Sequence, residues 1–303
     1  MHSSHGWTRH LPQTGNRCHE HMEAIYQCCR PYHWACRPSA LWIWRGIRRP
    51  RSARHCPHRR SETDVHQDAD GCALLSVRGQ QTCAVHRTFA VRQAAYTNAR
   101  EIYCVDYRHA PVYRYPAALE DAATFYQGLL ARGTRPSDII IFGDSAGGNL
   151  AVALALHLRD KGLPQPAALI LLSPWADFEH KDGTSRTENF TKDKVLGEGT
   201  PFAPHLRKTP PYAGSLPLDD PRLSPIHADL SGLPPMLIQT GGYDLLLTEN
   251  EQLAEKAKAD GTSVTFTVYP EMPHVFPLVL PELAESIAAC EEVRDFVNRY
   301  MQT

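Results

Sequence analysis

Residues 139–150 constrain the fold of this chain more than any other stretch. They read I-I-I-F-G-D-S-A-G-G-N-L: an apolar run, a glycine-flanked turn around Ser145, and the start of a helix of small residues. A serine on a sharp strand-to-helix turn points its hydroxyl outward, and Gly143 and Gly147 let neighbouring backbone approach without a Cβ clash. We therefore interpret this G-x-S-x-G pattern as a nucleophile elbow rather than a plain glycine-rich turn.

The helix predicted over residues 146–159 adds an electrostatic contribution to the same turn. The first N–H groups of a helix have no intrahelical partner, and the positive end of the helix dipole lies beside them. Both would stabilise negative charge that develops on an oxygen next to Ser145. The backbone N–H of Ala146 is therefore a candidate oxyanion donor.

The two parts of the chain differ in composition, although the net charge of the whole is only −1. Residues 1–95 hold 14 Arg, no Lys and 6 acidic residues, a balance of +8, whereas residues 96–303 hold 18 basic and 27 acidic residues, a balance of −9. Seven of the nine cysteines also precede residue 96, which leaves Cys104 and Cys290 in the later part. An odd cysteine count argues against a disulfide framework and for a reducing compartment.

Targeting signals are lacking from the sequence. No apolar run approaches the roughly 20 residues of a membrane span, and the first residues do not have the basic-then-apolar order of a signal peptide. We therefore predict a cytoplasmic protein without membrane association.

Residues 1–95 show no sustained helical or strand period, and their longest apolar patch is residues 40–44. Arginine without lysine, with crowded Cys, His and Trp, is what a GC-rich message gives when it is read out of frame. We therefore assign no fold to this segment and predict that it is disordered or frame-disrupted. On this hypothesis it supplies no strands, and the strand expected at residues 101–107 loses its pairing partners. The alternative is a divergent lid whose sequence pattern is not recognisable.

Residues 1–95 contain features of two kinds of binding segment. Residues 45–60 include nine arginines or histidines, but no aromatic stacking platform surrounds them, so an unstructured basic segment is favoured over a nucleic-acid site. Six residues could supply zinc ligands: Cys18, His21, Cys28, Cys29, His33 and Cys36. Their spacing matches no zinc finger. We predict no metal, no cofactor and no nucleic-acid partner, and keep a metal-binding or nucleic-acid-binding module as a lesser alternative that metal analysis would test.

From about residue 99 the pattern alternates between strands and helices. Strands are predicted at residues 101–107, 138–144, 167–172, 235–240 and 264–269, and helices at 116–132, 146–159, 247–261 and 281–301. The gaps suit right-handed crossovers, so the sheet should be mostly parallel and covered by helices on both faces. Residues 177–221 have little period and are interpreted as a lid insertion above the sheet. The last helix should bury one face, formed by Leu283, Ile287, Cys290, Val297 and Met301.

Two residues could activate Ser145. Asp244 follows the strand predicted at 235–240, and His274 follows the last strand, so both should lie at the carboxyl edge of the sheet. A serine nucleophile needs a base to take its proton and an acid to orient that base. The alternatives are a helix N-cap for Asp244 and a surface loop position for His274.

Several separated motifs together resemble the hormone-sensitive-lipase-like carboxylesterases of the α/β-hydrolase fold. They are V-D-Y-R-H-A-P at 105–111, G-D-S-A-G-G-N-L at 143–150, L-L-S-P-W at 171–175, Y-D at 243–244 and P-H at 273–274. The resemblance covers roughly residues 96–303. It implies that Ser145 is the nucleophile, His274 the general base and then acid, Asp244 its orienting acid, and the Ala146 N–H one oxyanion donor.

One departure from the family is serious. The family places an H-G-G-G run about thirty residues before the position of Asp106, and its amides supply the other oxyanion donors. No such run occurs in this chain. The resemblance implies a serine carboxylic-ester hydrolase that acts through an acyl-enzyme on small esters with short-to-medium acyl chains. The alternative is a catalytically impaired or non-catalytic protein of the same fold.

Overall fold

The computed structural model describes residues 41–45, 65–67, 73–76 and 101–301. The six residues considered as zinc ligands and nearly all of the basic segment at 45–60 lie outside these residues, so the predictions made for them stay predictions.

In the described part of the chain, eight strands form one sheet with the order β2-β3-β4-β1-β5-β6-β7-β8. The strands are β1 (Leu41–Arg45), β2 (Val65–Gln67), β3 (Ala73–Ser76), β4 (Glu101–Cys104), β5 (Ile139–Asp144), β6 (Ala168–Leu172), β7 (Met236–Gly241) and β8 (Val264–Tyr269). The block β5 to β8 is parallel throughout, and β3 is parallel to β4. The prediction of a mostly parallel sheet is therefore confirmed.

The expectation that residues 1–95 supply no strands is wrong. β1 lies between β4 and β5 and is antiparallel to both, and β3 pairs with the other side of β4. Leu41 and Ile43 are fully buried. The strand at 101–104 thus has a partner on each side, β3 on one and β1, which reads L-W-I-W-R, on the other. Whether the rest of residues 1–95 is disordered or out of frame falls outside the described residues.

Helices flank the sheet as the alternating pattern predicts. They are α1 (Ala117–Ala131), α2 (Ala146–Asp160), α3 (Ser185–Glu188), α4 (Leu247–Ala259), α5 (Phe276–Val279) and α6 (Ala284–Tyr300). Four of them match the predicted helices to within a few residues at each end. The short helices α3 and α5 were not predicted, because four residues are too few to establish a 3.6-residue period.

Both faces of the sheet are covered, since the side chains of β5 alternate between two apolar clusters. Ile139 and Ile141 pack in the cluster that includes α1, α2 and α4, whereas Ile140 and Phe142 pack in the cluster that includes α5 and α6. All six residues of β5 are buried. This explains why the strand reads as a continuous apolar run rather than an alternating one.

The buried face of α6 differs in part from the predicted one. Cys290, Val297 and Met301 are buried as expected, but Ile287 is exposed. The helix instead buries Val293 and Phe296 against the sheet. At the start of the helix, the face predicted from the sequence therefore points toward solvent. Leu283 lies before the first turn.

Residues 173–235 connect β6 to β7, and we call them the β6–β7 connection. Its described helical parts are α3 and three short 3₁₀ turns at Ala203–His205, Pro211–Ala213 and Pro225–His227. Two small apolar clusters form around it, and Trp175 borders both of them. The segment predicted as a lid, residues 177–221, lies within this connection; its role as a lid stays a prediction.

Candidate active site

Ser145 stands at the end of β5 and caps the beginning of α2 in a backbone conformation with φ 53° and ψ −119°. Positive φ is costly for a residue with a side chain and is maintained only by surrounding structure. Two hydrogen bonds hold it here: its N–H donates to the Leu172 carbonyl at 2.9 Å, and its carbonyl accepts from the Trp175 N–H at 2.9 Å. A Cβ on Gly143 would overlap the carbonyl of Gly147. The turn is therefore the strained strand-to-helix elbow that the sequence predicts.

The carboxyl ends of the parallel strands bring the predicted residues to one edge. Asp244 follows β7 by three residues, and His274 follows β8 by five residues. The imidazole Nδ1 of His274 lies 3.0 Å from Oδ1 of Asp244, and both side chains are buried. Both alternatives are therefore wrong: Asp244 is not the N-cap of α4, which is Leu246, and His274 is not on the surface.

Asp244 is held by several donors besides His274. Its Oδ2 accepts from the Thr240 hydroxyl at 3.1 Å, and its Oδ1 accepts from the Leu246 N–H at 2.8 Å. Burial alone would raise the pKa of this carboxyl, but the neighbouring His274 and these hydrogen bonds hold the pKa below its ordinary value. Asp244 is therefore ionised at neutral pH.

The opposite forces act on His274. Burial disfavours the imidazolium and lowers its pKa, whereas the charge and hydrogen bond of Asp244 raise it, with smaller contributions from Asp193 and Asp144. The net result is a pKa above the ordinary histidine value. Because Nδ1 faces a carboxylate, the neutral ring carries its proton on Nδ1 and leaves Nε2 as the basic nitrogen.

Ser173, just after β6, joins the loops that carry the two residues. Its hydroxyl accepts from the Val275 N–H at 3.1 Å and also hydrogen-bonds to Asp244. Ser173 and Val275 both have a φ of 46°, which is an outlier for a β-branched residue such as valine. This strain beside His274 is maintained by the hydrogen bond to Ser173. In the sequence, Ser173 stands out only as part of the S-P-W run, and this run does not indicate the role.

The donor side of the site is only partly described. Ala146 begins α2, so its N–H belongs to the first turn of the helix, as predicted. Leu41 pairs with Gly143, so β1 begins next to the elbow. Because β1 is antiparallel to β5, its first residue, Leu41, lies at this edge and its last residue, Arg45, lies at the opposite one. Residues before Leu41 lie outside the described part, and Ala146 is the donor candidate that the structure describes.

One group of side chains could offer ligands to a metal ion. Oxygen or nitrogen atoms of Asp177, Glu179 and His227 lie within 4.8 Å of one another. The Nζ atom of Lys181 already lies 2.7 Å from Asp177 and 3.2 Å from Glu179. Its charge compensates these carboxylates, so the group is an ion-pair cluster, and the prediction that the protein uses no metal stays a prediction.

Comparison with known proteins agrees with the fold. The family described as alpha/beta hydrolase fold matches residues 80–278. An acetyl-hydrolase from Streptomyces hygroscopicus is 39% identical over 197 residues, which are 65% of this chain and 64% of that protein. An esterase from Acinetobacter venetianus is 35% identical over 215 residues, 70% of this chain and 69% of that protein. The molecule is thus an α/β-hydrolase.

Similar solved structures indicate which family of α/β-hydrolases the chain resembles. An esterase from the bacterial hormone-sensitive lipase family is 38% identical with a TM-score of 0.65, and the match covers 71% of each chain. A hormone-sensitive-lipase homologue from a metagenome library is 26% identical with a TM-score of 0.69, covering 94% of this chain and 93% of the other. The chain therefore belongs to the hormone-sensitive-lipase-like family of α/β-hydrolases.

The chain spans just under two thirds of the length of the Streptomyces relative. None of the described helices has both the length and the apolar character needed to cross a bilayer. The predicted cytoplasmic location stays a prediction.

Proposed function

We propose that this protein is a serine carboxylic-ester hydrolase that forms an acyl-enzyme on Ser145. The observation that carries the proposal is the buried hydrogen bond between His274 and Asp244 at the edge of the sheet where the strained elbow presents Ser145. The relatives named acetyl-hydrolase and esterase support ester hydrolysis as the reaction class. The proposed substrates are small esters, and the reaction needs no cofactor.

The first half of the reaction transfers the acyl group to the enzyme. Nε2 of neutral His274 removes the proton from the Ser145 hydroxyl as Oγ attacks the ester carbonyl carbon. The Ala146 N–H donates to the oxyanion of the tetrahedral intermediate, and Asp244 stabilises the imidazolium. The intermediate collapses as the C–O bond to the alcohol breaks, and the alcohol leaves with the proton from Nε2.

The second half regenerates the enzyme. A water molecule attacks the acyl carbon of the acyl-enzyme while Nε2 takes one of its protons. Collapse of the second intermediate breaks the bond to Oγ and returns the proton to Ser145, so the carboxylic acid is released. The low pKa of Asp244 fits this role, because it remains charged whether or not the imidazole is protonated.

Labelling with a fluorophosphonate probe tests the assignment of the nucleophile. The wild-type protein should be labelled on Ser145, as located by peptide mass spectrometry, and Ser145→Ala should not be labelled. Asp244→Asn should label far more slowly, since loss of a triad aspartate costs about 10⁴ in rate in a well-studied protease. The exposed Ser215→Ala is a matched control and should label at the wild-type rate. Labelling that survives Ser145→Ala would exclude the assignment.

A catalytically impaired protein is the second candidate, and the missing H-G-G-G run favours it. Removal of one oxyanion donor typically costs about 2.7–4 kcal/mol, or roughly a hundred- to thousandfold in rate. We therefore expect labelling of Ser145 together with slow turnover of p-nitrophenyl butyrate. Turnover near an ordinary rate of about 10 per second would mean that another segment supplies the donors.

The expected acyl preference is short to medium. The described helix in the β6–β7 connection, α3, has only four residues, and the apolar cluster beside Asp244 is small, with Leu196, Leu245 and Leu246 as its buried members. Butyrate esters should therefore be hydrolysed faster than emulsified long-chain lipids. The reverse preference would contradict this substrate assignment but not the nucleophile assignment.

A further inference from the structure

Side chains of the β6–β7 connection form hydrogen bonds to the turn that carries the proposed triad acid. The side-chain amide of Asn189 donates to the Gly242 carbonyl at 3.1 Å and to the Asp244 carbonyl at 3.0 Å. The Ser185 hydroxyl donates to the Leu245 carbonyl at 2.8 Å. These residues are more than fifty positions away in the chain from the groups they bind, so the backbone around the acid is fixed by a distant segment.

Asp193, also in the β6–β7 connection, binds this turn through a buried carboxylate. Its Oδ2 accepts from the Leu245 N–H at 2.9 Å, and its Oδ1 accepts from the N–H groups of Val195 and Leu196 at 2.9 and 3.2 Å. The residue is fully buried. A buried carboxylate normally needs a compensating charge, and here three backbone donors take that place. One of the three belongs to the residue immediately after Asp244.

We propose that Asp193 is a positioning residue of the active site, which fixes the Asp244 turn to the β6–β7 connection and adds negative charge toward His274. The proposal rests on the hydrolase function proposed above and assigns no contact between Asp193 and substrate. It makes the geometry of the triad acid dependent on the placement of the connection. A change that loosens the connection should therefore slow the chemistry of Ser145 even though it leaves all three triad residues in place.

The charges around Asp193 are consistent with this role. Its charge interacts with the charges of Asp244 and His274, whereas its sequence neighbours Lys192 and Lys194 have exposed side chains. Burial and the neighbouring Asp244 raise the pKa of Asp193 to about 6, so its carboxyl is ionised above that pH. In that state its charge favours the imidazolium form of His274. Removal of the charge should therefore lower the pKa of His274.

Asp193→Asn tests both the positioning and the charge of Asp193. Asparagine keeps one oxygen acceptor but replaces the other oxygen with a donor, so it cannot serve both Leu245 and the Val195–Leu196 pair. The rate of fluorophosphonate labelling at pH 8 should fall by about ten- to a hundredfold, the size of effect expected when a catalytic group is misplaced by about 1 Å. The pH midpoint of labelling should also move downward. Lys194→Ala, which removes an exposed charge next to Asp193, should change neither quantity.

Asn189→Ala provides the second variant. It removes two hydrogen bonds to the same turn without changing any buried charge, so it should slow labelling and leave the pH midpoint unaltered. If Asp193→Asn melts close to the wild-type temperature and labels at the wild-type rate with the same midpoint, the proposal is overturned. If Asp193→Asn does not fold, a wild-type labelling rate in folded Asn189→Ala overturns it.

An NMR titration of the His274 ring distinguishes this proposal from the proposed function. The ring titrates whether or not the protein catalyses a reaction. If wild-type protein fails to label but Asp193→Asn lowers the midpoint of the ring titration, the hydrolase function fails and the positioning of the acid–base pair stands. Identical titrations of wild-type protein and Asp193→Asn would refute the positioning role alone.

Discussion

Replacement of Arg186 by methionine should destabilise the protein strongly. The Arg186 and Glu249 side chains are 5% and 6% exposed, and the Arg186 Nε lies 2.9 Å from the Glu249 carboxylate. The other carboxylate oxygen accepts from the N–H groups of Ala176 and Asp177. Arg186→Met leaves this carboxylate buried without its cation. Breaking a buried pair in this way costs about 3–5 kcal/mol, whereas exposed pairs are worth about 0–1 kcal/mol.

The cost should depend on pH. Burial raises the pKa of Glu249 to about 7 even beside Arg186. A carboxyl whose folded-state pKa lies above its unfolded value causes no penalty below the unfolded pKa, and the penalty grows with pH between the two pKa values until both states are ionised. Without the guanidinium the folded pKa rises further. Arg186→Met should therefore lose much more of its free energy of unfolding at pH 8 than at pH 5.

Thermal melting of four proteins measures the effect. At about 2–4 °C per kcal/mol for a domain of this size, Arg186→Met should melt roughly 6–20 °C below wild type at pH 8. Glu249→Gln should also destabilise, because it leaves Arg186 as the unpaired charge. The double variant should lose less than the sum of the two single losses. A loss below about 1 kcal/mol for Arg186→Met at pH 8, or a loss independent of pH, would refute this reasoning.

Three further predictions concern the elbow and the site. Gly143→Ala should abolish probe labelling and lower the melting temperature, because its Cβ would overlap the Gly147 carbonyl. Gly128→Ala is the control and should do neither, because its Cβ would meet open space. Labelling of Gly143→Ala at the wild-type rate would contradict this prediction. The labelling rate should rise with pH through a midpoint above 6.5, because His274 must be neutral and its pKa is raised; a midpoint below 6.5 would contradict the raised pKa. Asn149→Ala should cost about 1–3 kcal/mol, since its amide donates to two buried carbonyls, and an unchanged melting temperature would count against this.

The sequence predicts the parallel half of the sheet well because its evidence is local. An apolar run such as β5, followed by a glycine turn and a helix, indicates its own structure without reference to distant residues. The position of β1 could not be predicted in this way. Five residues carry no period of their own, and their strand exists because β4 and β5 lie on either side of them. Pairing between segments about 60 and 100 residues apart leaves no mark on the local pattern.

The site shows the same division. Asp244 and His274 could be predicted because they follow strands and occur in motifs that resemble a known family. Asp193 could not, because an aspartate between two lysines is typical of an exposed segment. Its burial results from how the β6–β7 connection folds over the turn after β7. Ser173 was visible in its motif, but its hydrogen bonds to two separate loops are a property of the tertiary structure.

Because β1 lies between β4 and β5, the order of the strands in the sheet differs from their order in the chain. In a partly folded molecule whose residues 41–45 are not yet paired, a gap of about two strand spacings, or about 10 Å, would separate β4 from β5. Each side of this gap would carry a row of unpaired backbone groups. Such edges pair readily with other chains, and the closing segment must come from a distant part of the sequence. Recovery from denaturant should therefore fall as protein concentration increases, since a second molecule competes with residues 41–45 for the open position at the centre of the sheet.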